Sequence, residues 1–221
     1  MAEETAREFL RRHALNKSMA RFQPLLRFLK DTDSSLYGHV SRDRIHYVHE
    51  RSTTLCLETD FGPGKDASRA GKQVDALKKE MSEQLVNINR RIYRDLEEEW
   101  AYQTSDEAVA DSLDSNEMFF EEDGTTTGED DPGFSVRELP DRVRARVLDN
   151  YRQWNVEDND WFEHVIETWT SLLAELGFDG VEIAFTGFST QGDGASFTAK
   201  SLDVPVYIAN YDKFAREHLK Q

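Results

Sequence analysis

VEIAFTGFSTQGDGASFTAKSL, residues 181–202, is the stretch that decides the fold of this chain. Two runs within it, Val181–Phe188 and Ala195–Leu202, alternate apolar and polar residues. Such alternation is typical of strands with one buried face, and a short polar turn joins the runs, so we predict an antiparallel hairpin. Its buried face should hold three apolar side chains: Ile183, Phe185 and Phe197.

The turn of this hairpin, STQGDG, is the first candidate binding site. Gly192 and Gly194 permit positive φ there, and Asp193 can hydrogen-bond the backbone of its own turn. Glycine loops that bind phosphate open a helix, whereas the residues after Gly194 are strand-like and Asp193 would repel phosphate. Two interpretations stay open: a tight turn with polar tips, or a ligand or partner contact through Ser189, Gln191 and Asp193.

Apolar residues at helical spacing predict the helices. The longest should run unbroken from Val74 to Trp100, because apolar residues recur there every three or four positions without Pro or Gly. A second amphipathic helix should begin near Asp160, end at Gly177 and pack on the hairpin through the face that bears Trp169. Four further helical segments are predicted: 2–30 with a break at Pro24, one capped by Thr104, one that begins at Ser135, and 211–220.

The remaining segments predict strands and loops. Ile45–Asp60 has the β-branched and apolar character of one long strand or a bent pair, and Met118–Phe120 is a short strand candidate. Gly124–Gly133 has nothing to bury, so we predict a mobile loop. Together these elements predict an α+β fold, in which an antiparallel sheet of about four strands carries helices mainly on one face.

We predict one cytoplasmic domain, residues 1–221, with two halves, 1–123 and 135–221, joined by a mobile loop over 124–134. The length allows an ample core. No apolar run approaches the roughly 18 residues that a membrane span needs, and no signal-peptide pattern opens the chain. The single cysteine, Cys56, suits a reducing compartment.

Acidic residues are concentrated in one window. From Asp95 to Val136 there are 15 Asp or Glu and no Lys or Arg, while the remainder holds 28 acids and 27 bases, for a net charge of −16. Such a block repels nucleic acid and anionic lipid and attracts basic protein surfaces. Its alternative interpretation is a solvated face plus a disordered loop. The candidate contact residues of this window are Glu121, Glu122 and Asp123.

Metal and catalytic chemistry find little support in the sequence. His46 and His49 lie near Glu50 and Cys56, but in a strand their odd spacing places the two histidines on opposite faces. Zinc sites need paired ligands from a second segment, which is missing, so we predict no metal and no cofactor. A buried thiol in an apolar run is inert, and no acid–base pair stands out, so the sequence favours a non-enzyme.

Two long motifs are similar to those of known proteins. IAFTGFSTQGDGASF, residues 183–197, resembles the FSGFxSQGDGAxF signature of small uncharacterised proteins from tailed phages and related mobile elements. IYRDLEEEWAYQTSDEAVADSLDSNEMFFEEDG, residues 92–124, resembles the segment with which such proteins usually end. HYVHE and the WNVEDNDWFEHV run also have counterparts there. The resemblance implies a phage accessory protein that acts in the host cytoplasm by binding host machinery.

The order of the two motifs departs from that family. In its members the glycine-rich hairpin precedes the TSDEAV segment, whereas here the hairpin follows it. The resemblance therefore implies a circular permutant in which Gly124–Phe134 bridges the former termini. In that case the C-terminal helix near Leu219 and the helical segment near Ala6 should lie close together.

Three functional hypotheses follow. The first is a non-enzymatic acidic protein that binds a basic surface of a host or phage nucleic-acid-handling protein, without binding nucleic acid or membrane directly. The second is a nucleotide- or small-ligand-binding protein or enzyme that uses the STQGDG turn. The third is a structural component of the virion. The sequence predicts no oligomeric state.

Overall fold

The computed structural model describes residues 18–42, 53–60, 67–128, 133–158, 160–190 and 193–219. The chain divides into two compact units. Residues 1–93 with 167–221, which hold the described strands, are called the sheet unit, and Arg94–Ile166 are called the acidic unit. These boundaries differ from the predicted halves, 1–123 and 135–221, and the single domain stays a prediction.

The sheet is antiparallel and lies within the sheet unit. Its strands are β1 Ser35–Arg42, β2 Thr53–Asp60, β3 Phe178–Asp179, β4 Glu182–Phe185 and β5 Ala195–Leu202. The hydrogen-bonded order is β2-β1-β5-β3, and β4 also pairs with β5. Seven α-helices are described: α1 Gln23–Asp31, α2 Ala67–Gln103, α3 Asp106–Ser115, α4 Asp141–Asn150, α5 Trp154–Glu157, α6 Glu163–Glu175 and α7 Val204–His218. The α+β prediction is confirmed, with five strands instead of about four.

The predicted hairpin is present as β4 and β5. Ile183 pairs with Phe197 and Phe185 with Ala195, as the alternation requires. Phe197 is fully buried and meets the Phe178 ring at 5.2 Å, edge to face. Ile183 and Phe185 are only half-buried, so the expectation of a fully buried face holds for the central strand β5 and not for the outer strand β4.

Helix α2 confirms the periodicity argument and extends beyond the predicted Val74–Trp100. The apolar stripe is buried from Val74 to Leu96, and Lys78, Lys79, Glu83 and Arg90 are exposed as predicted. Three polar residues, Glu80, Gln84 and Asn89, are nevertheless buried on this helix. The fully buried members of the stripe are Leu77, Met81, Leu85, Ile88, Ile92 and Leu96.

Several predicted boundaries were wrong for local reasons. The last helix, α7, begins at Val204 and not at Tyr211, because the Asp203 side chain accepts a hydrogen bond from the Val206 N–H at 3.0 Å. Ser105, not Thr104, caps α3 by accepting from the Ala108 N–H at 3.2 Å.

Other predicted features have mixed outcomes. Gly177 ends α6 with φ +89°, as predicted, whereas Gly194 does not use positive φ. Strand β1 was not predicted at all. The first part of the predicted strand 45–60, with its two histidines, lies outside the described residues. No helix of the described residues is both long and apolar enough to cross a bilayer.

Candidate functional site

The hairpin turn is closed by its own aspartate. The Asp193 carboxylate accepts hydrogen bonds from the Ser189 N–H at 2.7 Å, the Thr190 N–H at 2.6 Å and the Thr190 hydroxyl at 2.9 Å. Asp193 thus bonds its own turn, as the sequence predicted. Gln191 lies outside the described residues. Three donors from the turn already occupy the carboxylate, which leaves it less capacity for a ligand.

Aromatic rings anchor the base of this turn within the sheet unit. The Tyr93 hydroxyl donates to the Gly187 carbonyl at 3.2 Å, and its ring lies 5.5 Å from that of Phe188. Phe188 in turn stacks on Phe185 at 5.9 Å. The turn is therefore tied to helix α2, and the exposed polar tip comprises Ser189 and Thr190.

The second candidate group, Glu121, Glu122 and Asp123, lies in the acidic unit and is exposed. The Thr125 hydroxyl and N–H donate to the Asp123 carboxylate, and these hydrogen bonds lower the pKa of Asp123 below its usual 3.8. The Arg146 guanidinium donates to the carbonyl of Asp123. The turn is thus held by hydrogen bonds, and its three acidic residues are exposed.

The chain around this turn is also hydrogen-bonded. Phe120 and Phe134 exchange backbone hydrogen bonds at 2.9 and 2.8 Å, and the Thr127 N–H donates to the Phe119 carbonyl at 2.9 Å. Residues 124–128 therefore form a hydrogen-bonded return at the start of the predicted mobile loop. Residues 129–132 lie outside the described residues, and the mobility of the loop stays a prediction. The expected strand at 118–120 is reduced to isolated bridges at Phe120.

Two arginines form ion pairs with some of the acidic side chains. Arg137 reaches three carboxylates on one face of α3: Glu107 at 3.3 Å, Asp111 at 2.5 Å and Asp114 at 2.9 Å. Arg152 pairs with Asp106 at 2.9 Å and Asp149 at 3.3 Å. Other exposed carboxylates of the acidic unit have no hydrogen-bond or ion-pair partner among the described residues, and three of them lie near one another in sequence: Glu117, Glu121 and Glu122.

The formal charge separates completely between the two units. The acidic unit holds 22 Asp or Glu and six Lys or Arg, which is −16, the net charge of the whole chain. The sheet unit is balanced, with 21 acids and 21 bases. The excess negative charge predicted for the window 95–136 thus belongs to one structural unit. Ser189 and Asp193 belong to the other unit.

A buried polar group in the sheet unit was missed by the sequence analysis. The Tyr207 hydroxyl donates to Gln84 Oε1 at 2.9 Å, and the Arg21 guanidinium pairs with Glu80, whose side chain is 4% exposed. Tyr211 stacks on Tyr207 at 5.2 Å, and its own hydroxyl has no hydrogen-bond partner among the described residues. Polar residues four apart on an otherwise apolar stripe were the available signal.

Burial raises the pKa of both tyrosines. For Tyr207 desolvation is the main cause, followed by the neighbouring Tyr211 and Glu80. For Tyr211 desolvation is again first, followed by the carboxylates of Glu80 and Asp212. Both phenols therefore keep their protons to a higher pH than an exposed tyrosine does. A buried, neutral pair without a described opening is suited to a structural role.

Other possible sites offer less. A cavity of about 230 Å³ lies between the end of α6 and the last turns of α7, lined by Glu175, Asn210, Lys213 and His218 among others. The Asn210 amide donates to the Glu175 carbonyl across it at 2.9 Å. Over the described residues, no cluster of three or more His, Cys, Asp or Glu could hold a metal ion.

Comparison with known proteins identifies a family. A family model described as "Domain of unknown function (DUF8835)" matches residues 2–106 and 161–220, about three quarters of the chain. The match covers most of the sheet unit and both ends of the acidic unit, and leaves residues 107–160 unmatched. No curated protein and no solved structure matches this chain.

Proposed function

The chain belongs to the family of the domain of unknown function DUF8835, and we propose that it acts as a non-enzymatic acidic binding protein. Its target is a basic surface on a host or phage nucleic-acid-handling protein. In this proposal the chain is a phage accessory factor of the host cytoplasm, in line with the two motifs that resemble phage proteins. It binds neither nucleic acid nor membrane directly.

The complete separation of charge carries this proposal. Sixteen net negative charges lie on the 73 residues of the acidic unit, and the rest of the chain is formally neutral. A unit with this density of one sign attracts basic surfaces over about a screening length and raises the rate of encounter. It also imitates the electrostatics of DNA, whose phosphates supply one charge per roughly 1.7 Å of duplex.

The arrangement of the carboxylates supports the same proposal. Those on α3 are partly neutralised by Arg137 and Arg152, at distances between 2.5 and 3.3 Å. Glu117, Glu121 and Glu122 lie exposed without such partners among the described residues. A basic partner gains most from carboxylates that no arginine already holds. Three of these lie within residues 117–122, so we expect the contact there.

The test uses the full chain, immobilised, to capture proteins from a host lysate at about 0.1 M and about 1 M salt, where the screening length falls from about 10 Å to about 3 Å. We expect basic nucleic-acid-handling proteins to be retained at low salt and released at high salt. Two variants with the same charge change localise the contact. One neutralises the exposed turn: Glu117→Gln, Glu121→Gln and Glu122→Gln. The control neutralises exposed acids of the sheet unit: Glu58→Gln, Asp75→Asn and Glu182→Gln.

Retention should fall several-fold in the first variant and stay near that of the unmodified chain in the control. Equal losses in both variants would mean that net charge alone matters and would contradict a contact on the acidic unit. Recovery of no basic protein at low salt would count against the proposal as a whole.

We also propose that the chain is a circular permutant of the phage proteins it resembles. In support, the Ser18 hydroxyl donates to Asp212 Oδ2 at 2.6 Å, and the Met19 N–H donates to the same carboxylate at 3.1 Å. The described chain thus begins against α7, the last helix. Ala6 lies outside the described residues. A variant with its termini joined by a short linker and opened within 124–134 should fold, and its failure to fold would contradict this origin.

A further inference from the structure

We propose that residues 107–160 form a separate interaction module between the two segments that the DUF8835 model matches, and that the fold persists when the module is excised. The family model matches the chain up to residue 106 and again from residue 161. The unmatched segment contains α3, α4 and α5. An insertion of this kind needs three properties: its own core, ends that lie together, and a host whose chain can close without it.

The module has its own hydrophobic core. Eight buried residues form one cluster, every member lies inside 107–160, and none is more than 5% exposed. Phe120 is fully buried in it, with the Tyr151 ring 6.1 Å away, edge to face. The members are Val109, Ala110, Leu113, Phe120, Val136, Leu139, Val147 and Leu148. A contiguous cluster of this kind is what a separately folding unit requires.

The two ends of the module are clasped together. Arg152 donates to the carbonyl of Thr104 at 2.8 Å, and Asn155 donates to the carbonyls of Gln103 at 3.1 Å and Ala108 at 3.2 Å. Residues about fifty positions apart in the chain thereby meet where α2 ends and α3 begins. The chain leaves and re-enters the matched segments at one place.

The matched segments also meet each other beside that place. Glu99 on α2 and His164 on α6 lie on opposite sides of the insertion in sequence, and their side chains approach to 3.2 Å. Both residues lie in the segments that the family model matches. We therefore expect that a short linker can join residue 106 to residue 161.

The interaction assigned to this module rests on the proposed function. Residues 107–160 contain 16 Asp or Glu and five Arg, so their removal changes the formal net charge from −16 to −5. The excised protein should therefore keep the family fold and lose most of its attraction for basic partners.

The first experiment replaces residues 107–160 by a short Gly-Ser linker. Hydrogen exchange should show β5 and α7 as protected as in the full chain. Binding of a fluorescent octa-arginine peptide, followed by anisotropy at low salt, should weaken at least tenfold relative to the full chain. An excised protein that is unfolded would overturn the excision, and peptide binding within twofold of the full chain would overturn the assignment of the interaction.

The second experiment keeps the full chain and weakens only the module. Leu113→Ala should accelerate hydrogen exchange in 107–160 at least tenfold and leave α7 and β5 unchanged, since Leu113 is a buried member of the module's cluster. Equal acceleration in α7 would show one cooperative unit and overturn the proposal. A full chain that does not bind octa-arginine would defeat the proposed function, while the exchange results would still decide whether the module is separate.

Discussion

The sheet unit and the acidic unit differ in net charge and in where their charged side chains lie. In the sheet unit acids and bases balance at 21 each, and polar groups such as Glu80 and Gln84 are buried with partners. The acidic unit has 22 acids and six bases, and two of its arginines, Arg137 and Arg152, form ion pairs with carboxylates of α3. Buried, paired polar groups stabilise the fold of the sheet unit. In the acidic unit, carboxylates without an arginine partner can bind a basic protein. We therefore expect the stability of the sheet unit to depend mainly on its buried side chains. Repulsion between carboxylates should lower the stability of the acidic unit.

The strongest challenge to this comparison is a charge placed in the core of the sheet unit. Ile88 on α2 is fully buried, so Ile88→Asp should abolish folding of that unit, because an unpaired buried carboxylate costs several kcal/mol against a total stability of about 5–15 kcal/mol. Circular dichroism and solubility measure the loss. Arg90→Asp, on the exposed side of the same helix, is the control and should fold. A soluble Ile88→Asp protein with an unchanged melting temperature would refute the placement of α2.

A smaller effect distinguishes the two strands of the hairpin. Phe197→Ala on β5 should cost about 3–5 kcal/mol, as expected for a fully buried ring. Phe185→Ala on β4 should cost about half as much, since that ring is only half-buried. Chemical denaturation of the sheet unit measures both free energies of unfolding. Equal losses of unfolding free energy would show that the exposed fraction of the ring does not determine the cost of the substitution.

The stacked tyrosines of the sheet unit should respond oppositely to loss of their hydroxyls. Tyr207→Phe removes the donor to Gln84 Oε1 and should cost about 1–3 kcal/mol, because a buried acceptor is left unpaired. Tyr211→Phe removes a hydroxyl without a hydrogen-bond partner among the described residues and should be neutral or stabilising. Thermal unfolding compares the two variants, and a greater loss in Tyr211→Phe would contradict this assignment.

The same pair predicts the alkaline behaviour of the sheet unit. Burial raises the folded pKa of both phenols above the unfolded value of about 10, so their contribution to stability is complete below pH 10 and declines as the pH rises further. Tyr211→Phe should make that decline shallower.

The smallest expected effect comes from salt and concerns the acidic unit. Raising NaCl from about 0.02 M to about 0.5 M should stabilise that unit by roughly 1 kcal/mol, because screening weakens the mutual repulsion of its carboxylates more than it weakens the few arginine pairs. Hydrogen exchange at Leu113 and Val147, compared with Tyr207 in the balanced unit, measures the difference. Equal salt responses would remove the distinction between the units.

Local patterns predicted the elements whose cause is local. Helix α2 followed from its stripe, the β4–β5 hairpin from alternation, and the Asp193 turn from the chemistry of aspartate. Strand β1, SLYGHVSR, was missed because it has weak alternation and because one of its pairing partners, β5, is distant in sequence.

The candidate sites show the same limit. The acidic window was visible in the composition, but the carboxylates that Arg137 neutralises lie 23 to 30 residues away from it in the chain. Only the folded structure shows which acidic side chains pair with an arginine and which do not. The same holds for the hydrogen-bonded return at 124–128, whose polar sequence does not indicate its pairing with Phe119 and Phe120.

The burial of Trp169 against Phe214, 2% exposed with ring centroids 6.2 Å apart, has an optical consequence. Of the four tryptophans, Trp169 alone belongs to the sheet unit, and the other three, Trp100, Trp154 and Trp161, belong to the acidic unit. Intrinsic fluorescence therefore weights the acidic unit in any unfolding curve. Replacing those three by Phe would leave one shielded indole, with emission at short wavelength, as a reporter on the sheet unit alone.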